Sequence, residues 1–334
     1  MTNTLQAPIM IQDSRLDSLI SMLYLNRPSR GTGEEKLIEK YIKPLGVKKD
    51  KFGNFFLKIG EDTKTIWACH TDTVHMMDNV DEAIKTKQKK QLWIDKNINS
   101  LNVSNSSCLG ADDGAGIWLM TNMIKDKVPG LYIFHREEEM GCRGSRYINK
   151  HYKRLVEKYD FCISLDRKGT DSIITHQGPR TCSDTFAESL SFALDMGHKK
   201  DPTGSYTDSK EYAENIAECT NLSVGYYNQH TNRESQDLDY IHNLLDHLLA
   251  FDEKKLVAER KKGPLLDYYS GYYSGYGSYY EYEEDEYDYE RIPSLYENVK
   301  AYPAIVSSLL KESGISEEEL ESVIQDHIKN FRSY

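Results

Sequence analysis

The sequence predicts a layered α/β domain built on a mainly parallel central sheet, followed by a C-terminal helical tail. Strand-like and helix-like segments alternate through roughly the first 260 residues, which is the signature of strand–helix–strand units. Short apolar strands are repeatedly followed by turns bearing histidine or carboxylate side chains. Beyond residue 262 the composition changes abruptly.

The elements can be justified in order. "RLDSLISMLYL" (15–25) and "GEEKLIEKYIKPLG" (33–46) have helical periodicity, and Gly46 suits a helix C-cap. "NFFLKI" (54–59) and "TIWACH" (65–70) read as strands. "GAGIWLMTNMIKD" (114–126) reads as a helix and "LYIFHR" (131–136) as a strand. "DFCISLD" (160–166) and "DSIITHQ" (171–177) are strands, and "SDTFAESLSFALDMG" (183–197) is a helix. "NLSVGYY" (221–227) is a strand and "DLDYIHNLLDHLLAFDE" (237–253) a helix. We place the main domain at residues 1–262, a linker at 263–292 and a small helical module at 293–334. The linker contains "DYYSGYYSGYGSYYEYEEDEYDYE", a Tyr/Gly/Ser-rich and then acidic run with few aliphatic residues to form a core. In the tail, Ser294 with Glu297 and Ser316 with Glu319 have capping-box spacing, and Ile315 and Leu320 are placed for a hydrophobic staple. Leu320, Val323, Ile324, Ile328 and Phe331 form one apolar face. Packing back on the main domain and docking a protein partner are both compatible with that face.

Composition narrows the function. The 334 residues are 39% hydrophobic and 28% charged, as in an average soluble protein. A net charge of −11 argues against nucleic acid as a partner, because phosphate binding needs a basic face. No apolar run is long enough to span a membrane, and "MTNTLQAPIMIQDSR" lacks the features of a signal peptide. Cys69, Cys108, Cys142, Cys162, Cys182 and Cys219 include no CxxC pair and read as reduced thiols of a cytoplasmic protein.

In parallel sheets, ligands bind beyond the carboxyl ends of the strands. After "TIWAC" comes "HTDTVH", with His70 and Asp72 on one side of an extended backbone. "LGADDGAG" then places Asp112 and Asp113 at a helix entrance, "EEEMG" (137–141) follows the next strand, Asp166 ends another, and His230 follows "NLSVGYYNQ". Each is ordinary alone: a polar turn, a helix cap, a solvated charge run. Together they bring His, Asp, Glu, Asp and His to one sheet edge, where crowded carboxylates call for a cation. Mixed N/O donors favour zinc or another first-row divalent ion. Two metals sharing one carboxylate would use five ligands and leave a sixth acid as base.

In that order, "HTD", "GADDGAG", "EEMG", "LD" and a late His resemble the co-catalytic dizinc exopeptidases. That superfamily includes peptidase T, glutamate-releasing carboxypeptidases and bacterial leucyl aminopeptidases. The resemblance covers roughly residues 13–252, including the opening "RPSRGTGEEKLIEKYIKPLG". It implies a three-layer α/β/α domain, two Zn²⁺ ions (or Co²⁺ or Mn²⁺ in their place) and a short peptide substrate. It further implies that Asp112 bridges the metals, that His70 and Asp166 complete one site, and that Glu139 and His230 complete the other. Asp72 would orient His70, and Glu138 would be the general base. The bond between Asp112 and Asp113 is expected to be cis. The third acid, Glu137, departs from the usual pair, and we align on "EEMG". Gly114 stands where peptidase T-like members carry Lys. The residues between Asp166 and His230 are too few for a separate lid domain, so the compact, lidless form is expected, as a monomer or weak oligomer. Tyr206 and Tyr226 are positional candidates for stabilising an oxyanion, though a packing role suits each better. Asp208 could bind a substrate amine or cap the next helix. Three functions compete: an aminopeptidase or di/tripeptidase, an N-acyl amino acid deacylase on the same fold, and a non-catalytic protein retaining it.

Overall fold

The structure, a computed structural model, describes residues 14–75 and 90–265, together with Leu310, Ser316 and Leu320. The chain divides into two compact units, Met1–Tyr276 and Gly277–Tyr334. Apart from Gly263–Leu265 and those three single positions, the expected linker and helical module lie outside the described residues, with their capping boxes and apolar face. So does most of the N-terminal segment. Within the second unit Leu310 and Leu320 are helical, and the Leu320 N–H donates to the Ser316 carbonyl at 3.0 Å.

In the first unit the strands are β1 (Lys48–Lys49), β2 (Phe55–Ile59), β3 (Thr65–His70), β4 (Gln91–Asp95), β5 (Ser100–Ser104) and β6 (Gly130–His135). They continue with β7 (Phe161–Arg167), β8 (Ser172–Ile174), β9 (Lys199–Asp201), β10 (Glu218–Ser223), β11 (Tyr226–Tyr227) and β12 (Ser235–Asp237). The helices are α1 (Ser14–Leu23), α2 (Thr32–Leu37), α3 (Ala111–Lys125), α4 (Arg143–His151), α5 (Lys153–Val156), α6 (Asp184–Leu194) and α7 (Leu238–Leu249). Eight strands form one sheet in the order β1-β2-β6-β3-β7-β10-β8-β9. Its centre is parallel, β6 with β3, β3 with β7 and β7 with β10, and the antiparallel pairs lie towards the edges. That is the mainly parallel sheet the alternation predicts.

The two-residue period of β3 explains the layers. Trp67 and Cys69 enter the core shared with α1, α3, α6 and α7, while Ile66 and Ala68 enter a second core with α4, α5 and the turn at Asp208–Tyr212. All six residues of β3 are buried, as expected for a strand covered on both faces. Residues 167–223 continue this same sheet and its helices, and Tyr226–Tyr227 start a smaller sheet, with no separate lid among them.

Three features depart from the sequence expectation. The strand expected at 221–227 is split between β10, which ends at Ser223, and β11 at Tyr226–Tyr227, in different sheets. The second helical segment is broken: α2 passes into a π turn at Ile38–Ile42 and a 3-10 turn at Lys43–Leu45, before Gly46 ends it at φ +80°. A four-stranded antiparallel sheet, β11-β12-β5-β4, was also not legible. Its strands are only two to five residues long, too short to show an alternation.

Candidate active site

The expected residues meet at the carboxyl ends of the central strands. His70 is the last residue of β3, Asp166 lies near the end of β7, and Glu138 and Glu139 follow β6. Asp112 lies at the entrance to α3, and His230 on the loop between β11 and β12. Asp112 is the hub. Its Oδ1 lies 3.0 Å from His70 Nε2 and its Oδ2 lies 3.1 Å from His230 Nε2. His70 Nε2 is also 3.5 Å from Asp166 Oδ1, and His230 Nε2 is 3.1 Å from Glu139 Oε1. The two carboxylate oxygens of Asp112 therefore face different histidines, each with its own second acid.

The neighbouring acids divide their work. Asp113 accepts from the His70 N–H at 3.1 Å and from the Gly116 N–H at 2.8 Å, so it caps the helix and fixes the end of β3. The Asp112–Asp113 peptide is cis, and both residues depart from helical angles. Asp72 orients His70 mainly through its backbone: its carbonyl is 3.1 Å from His70 Nδ1, whereas its carboxylate is 3.6 Å away and instead accepts the Glu138 N–H at 3.1 Å. Glu137 turns aside into ion pairs with Arg30 at 2.5 Å and Arg143 at 2.6 Å. Asp166 is held by Thr207 Oγ1 at 2.8 Å and by the Tyr226 hydroxyl, which donates to its carbonyl at 2.8 Å. Glu137, Cys142, Asn228 and His230 all have φ between +54° and +62°. Such left-handed non-glycine residues are uncommon and concentrate where side chains must be aimed.

Charge accumulates in this space. Burial pushes the Glu138 carboxyl well above the carboxylate range, with His70 opposing and Asp208, Asp166 and Glu139 adding to the rise. Burial likewise raises Asp166, and it lifts Glu139 to about 7. Asp112 is the exception: burial raises it, but the hydrogen bonds from His230 and His70 prevail and hold it low. His230 is raised to about 11 by its hydrogen bonds with Asp112 and then Glu139. His70 is raised despite burial, by Asp112, Asp166 and Asp72.

Three clusters have ligand atoms mutually within 4.8 Å: His70/Asp113/Asp166, His70/Glu138/Glu139 and Asp112/Glu139/His230. For the first, Asp112 is the better carboxylate, because both Asp113 oxygens already accept backbone N–H groups. Imidazole and carboxylate donors crowded on an acid-rich cleft fit first-row divalent ions.

Several contributors had no sequence signal. Glu234, 1% exposed, accepts from the Gly110 N–H at 2.8 Å and the Asp112 N–H at 2.9 Å, anchoring the loop that carries the hub. Arg27, fully buried, donates to the carbonyls of Thr71 and Gly110. A Cβ at Gly114 would meet Leu23 Cδ2 at 2.6 Å and the Arg27 guanidinium at 3.3 Å, so a lysine there would have to displace both side chains. Asp208 is buried 3.1 Å from His135 Nδ1, and Thr207, not Asp208, is the N-cap of the next turn. Tyr206 and Tyr226 both line the cleft, with the Tyr226 hydroxyl engaged by Asp166 and the Tyr206 hydroxyl accepting from Arg146 at 3.0 Å.

Fold and site together define a layered α/β domain with a histidine–carboxylate cleft at the carboxyl edge of its sheet. No family model and no curated protein matches the sequence. Solved structures do match the fold. Aminopeptidase PepT from Bacillus cereus is 15% identical, with 72% of this chain and 98% of that one covered and a TM-score of 0.52. A tripeptidase from Staphylococcus aureus is 12% identical over 71% and 96%, with a TM-score of 0.56. The TET1 peptidase of Pyrococcus horikoshii is 16% identical over 72% and 100%, with a TM-score of 0.55. The chain shares its fold with these peptidases, the kind of enzyme its motifs resemble.

Proposed function

We propose that this chain is a dizinc exopeptidase that hydrolyses short peptides, as an aminopeptidase or di/tripeptidase, with residues 1–262 as its catalytic domain. The observation that carries the reading is Asp112 set between His70 and His230, one oxygen 3.0 Å and the other 3.1 Å from the respective Nε2. His70, Asp112 and Asp166 would hold one ion, and Asp112, Glu139 and His230 the other. When bound, such a pair polarises a scissile carbonyl and acidifies water. Glu138 takes the proton from the attacking water and returns it to the leaving amine. A carboxyl raised by burial suits that shuttle, because it holds a proton more readily than an ordinary carboxylate does. Asp72 holds His70 through its carbonyl and the loop after β6 through its carboxylate.

Among the described residues no helix is long and apolar enough to cross a membrane, and we place the enzyme in the cytoplasm. The TET1 peptidase assembles into a tetrahedron or an octahedral shell; for this chain we propose a monomer or weak oligomer, which size-exclusion with light scattering measures. The decisive assay supplies zinc-loaded protein with free-amine peptides, blocked-amine peptides and N-acyl amino acids. Hydrolysis of free-amine peptides alone, lost in Glu138→Gln, is the expected result. Cleavage of N-acyl amino acids alone would make it a deacylase. Unchanged hydrolysis in Glu138→Gln would remove the base assignment.

A further inference from the structure

Three glutamates follow β6, and Glu138 and Glu139 line the cleft. The first, Glu137, is 5% exposed, and a carboxylate buried that far needs charged partners. It has two. Arg30 Nε donates to its Oε1 at 2.5 Å, and Arg143 Nη1 lies 2.6 Å from its Oε2. Both oxygens are spent, and among the described residues Glu137 joins none of the three ligand clusters. The two arginines come from different elements, Arg30 from the turn before α2 and Arg143 from the first turn of α4. Arg30 is itself pinned. Its Nη2 donates to the Phe52 carbonyl at 2.9 Å, and its N–H donates to Glu34 Oε2 at 2.6 Å. Glu34, fully buried, also holds Arg136 Nε at 2.7 Å and the Thr71 hydroxyl at 2.5 Å. Thr71 follows His70 and Arg136 precedes Glu137, so one network ties together the ends of β3 and β6. The backbone at Glu137 needs such support. It has φ +60°, and a left-handed residue other than glycine persists only where its surroundings fix it. The Glu137 carbonyl accepts the Arg143 N–H at 3.0 Å, and the Glu138 carbonyl accepts the Gly141 and Cys142 N–H groups at 2.8 Å each. Side chain and carbonyl of Glu137 thus grip the same arginine.

We propose that Glu137 is a positioning residue: its ion pairs with Arg30 and Arg143 hold the left-handed turn that aims Glu138 and Glu139 into the cleft. This rests on the exopeptidase reading above. A solvated surface charge does not describe Glu137, because it is buried, and a second base does not, because both its oxygens are occupied. Without the two ion pairs the turn is free to relax towards the right-handed region, and the Cα–Cβ bonds of the next two residues turn with it. A base displaced by about 1 Å can cost about a hundredfold in rate. Substrate contacts made elsewhere in the cleft are untouched, so the loss falls on kcat rather than on KM.

The test measures kcat and KM on one free-amine tripeptide with zinc-loaded protein, and zinc affinity by calorimetry on the metal-free chain. Glu137→Gln should lower kcat about 10- to 100-fold with KM within about twofold of wild type. It should also weaken zinc binding about tenfold, because the same turn aims Glu139. Arg143→Gln and Arg30→Gln change more exposed side chains and serve where Glu137→Gln does not fold; each should show the same split at smaller size. Arg30→Lys, which keeps the charge, should retain more activity than Arg30→Gln. Arg143→Gln added to Glu137→Gln should cost little further, since the pair is already broken. If the variants melt earlier but keep kcat and zinc affinity within about twofold of wild type, Glu137 supports only the fold and the positioning role is overturned, while the exopeptidase reading stands. If Glu137→Gln abolishes hydrolysis and Glu138→Gln does not, Glu137 is itself the base and the assignment is again overturned. If wild type cleaves no free-amine peptide, the exopeptidase reading falls, and the zinc affinities alone decide whether Glu137 aims its neighbour.

Discussion

Glu234→Ala tests how the hub acid is held. The carboxylate is 1% exposed and accepts two backbone N–H groups, from Gly110 at 2.8 Å and from Asp112 at 2.9 Å. A hydrogen bond to a charged group contributes about 1.5–3 kcal/mol, and a buried donor left unpaired loses a comparable amount. Removing both acceptors at once should cost about 3–5 kcal/mol, a fall of roughly 10 °C in a domain of this size. One relief works the other way: Asp112 repels the Glu234 carboxylate, which together with burial raises its pKa. The lower end of the range is therefore expected. Because the released loop carries Asp112, zinc affinity should fall as well, by about 10- to 100-fold, the usual cost of losing a residue that supports a ligand. Glu234→Gln keeps one acceptor and should lose about half as much stability. Urea unfolding and zinc calorimetry on the same preparations give both numbers. Stability within about 0.5 kcal/mol of wild type would refute the hydrogen-bond reasoning. A loss of stability with unchanged zinc affinity would show that Glu234 supports the fold but not the hub.

Gly116→Ala should destabilise by about 1–3 kcal/mol in urea melts, because its Cβ would lie 2.3 Å from the Leu165 carbonyl oxygen and 2.5 Å from Asp113 Oδ1; an unchanged midpoint would mean that α3 is not seated on β7 as described. His198, hydrogen-bonded to the Tyr240 hydroxyl at 2.6 Å, is lowered to about 4, by burial first. Between about pH 6.5 and 4 the unfolded chain binds a proton that the folded one refuses, so stability should fall by about 2 kcal/mol from pH 7 to pH 5 on this account, a component absent in His198→Gln. Zinc at a hundredfold excess over its Kd should raise unfolding free energy by about 2.7 kcal/mol, and Asp112→Asn should lose most of that gain; a zinc-independent midpoint would refute the metal reading.

Legibility followed the strength of local signals. β3, β6 and β7 are continuous apolar runs ending in polar turns, so their identity and the edge they point to can be read directly. The acid pair could be read as a helix cap or as a ligand, and both are correct for different members: Asp113 takes the cap hydrogen bond from Gly116, and Asp112 faces the histidines. Glu234 could not have been found, because nothing in "NRESQ" says that its loop folds back 122 residues to meet the Asp112 N–H. The small antiparallel sheet was silent for a related reason. Its register depends on pairing β5 with β12, Ser100 opposite Asp237, a contact far apart in sequence. That hidden sheet positions His230, so the last histidine could be named from order alone but not placed.

The buried acids fall into two populations, and the division bears on why the cleft needs a cation. Asp113 and Glu234 each accept two backbone N–H groups, and Asp50 accepts from Gly53 and Asn54. Their charge is satisfied by the fold itself. Among the described residues, Asp112 and Glu139 have only histidine nitrogens as side-chain partners, and Glu138 has only the weak Cys142 thiol donor at 3.4 Å. A histidine cannot serve both as a proton-bearing counter-ion and as a metal ligand, because ligation requires the neutral ring. Protonation at His70 and His230 and a bound divalent ion are therefore alternative ways of compensating the same carboxylates. The zinc titration should then release protons. At neutral pH, calorimetry in two buffers of different ionisation enthalpy should count one to two per chain, and a count of zero would mean that the two imidazoles are not the groups displaced.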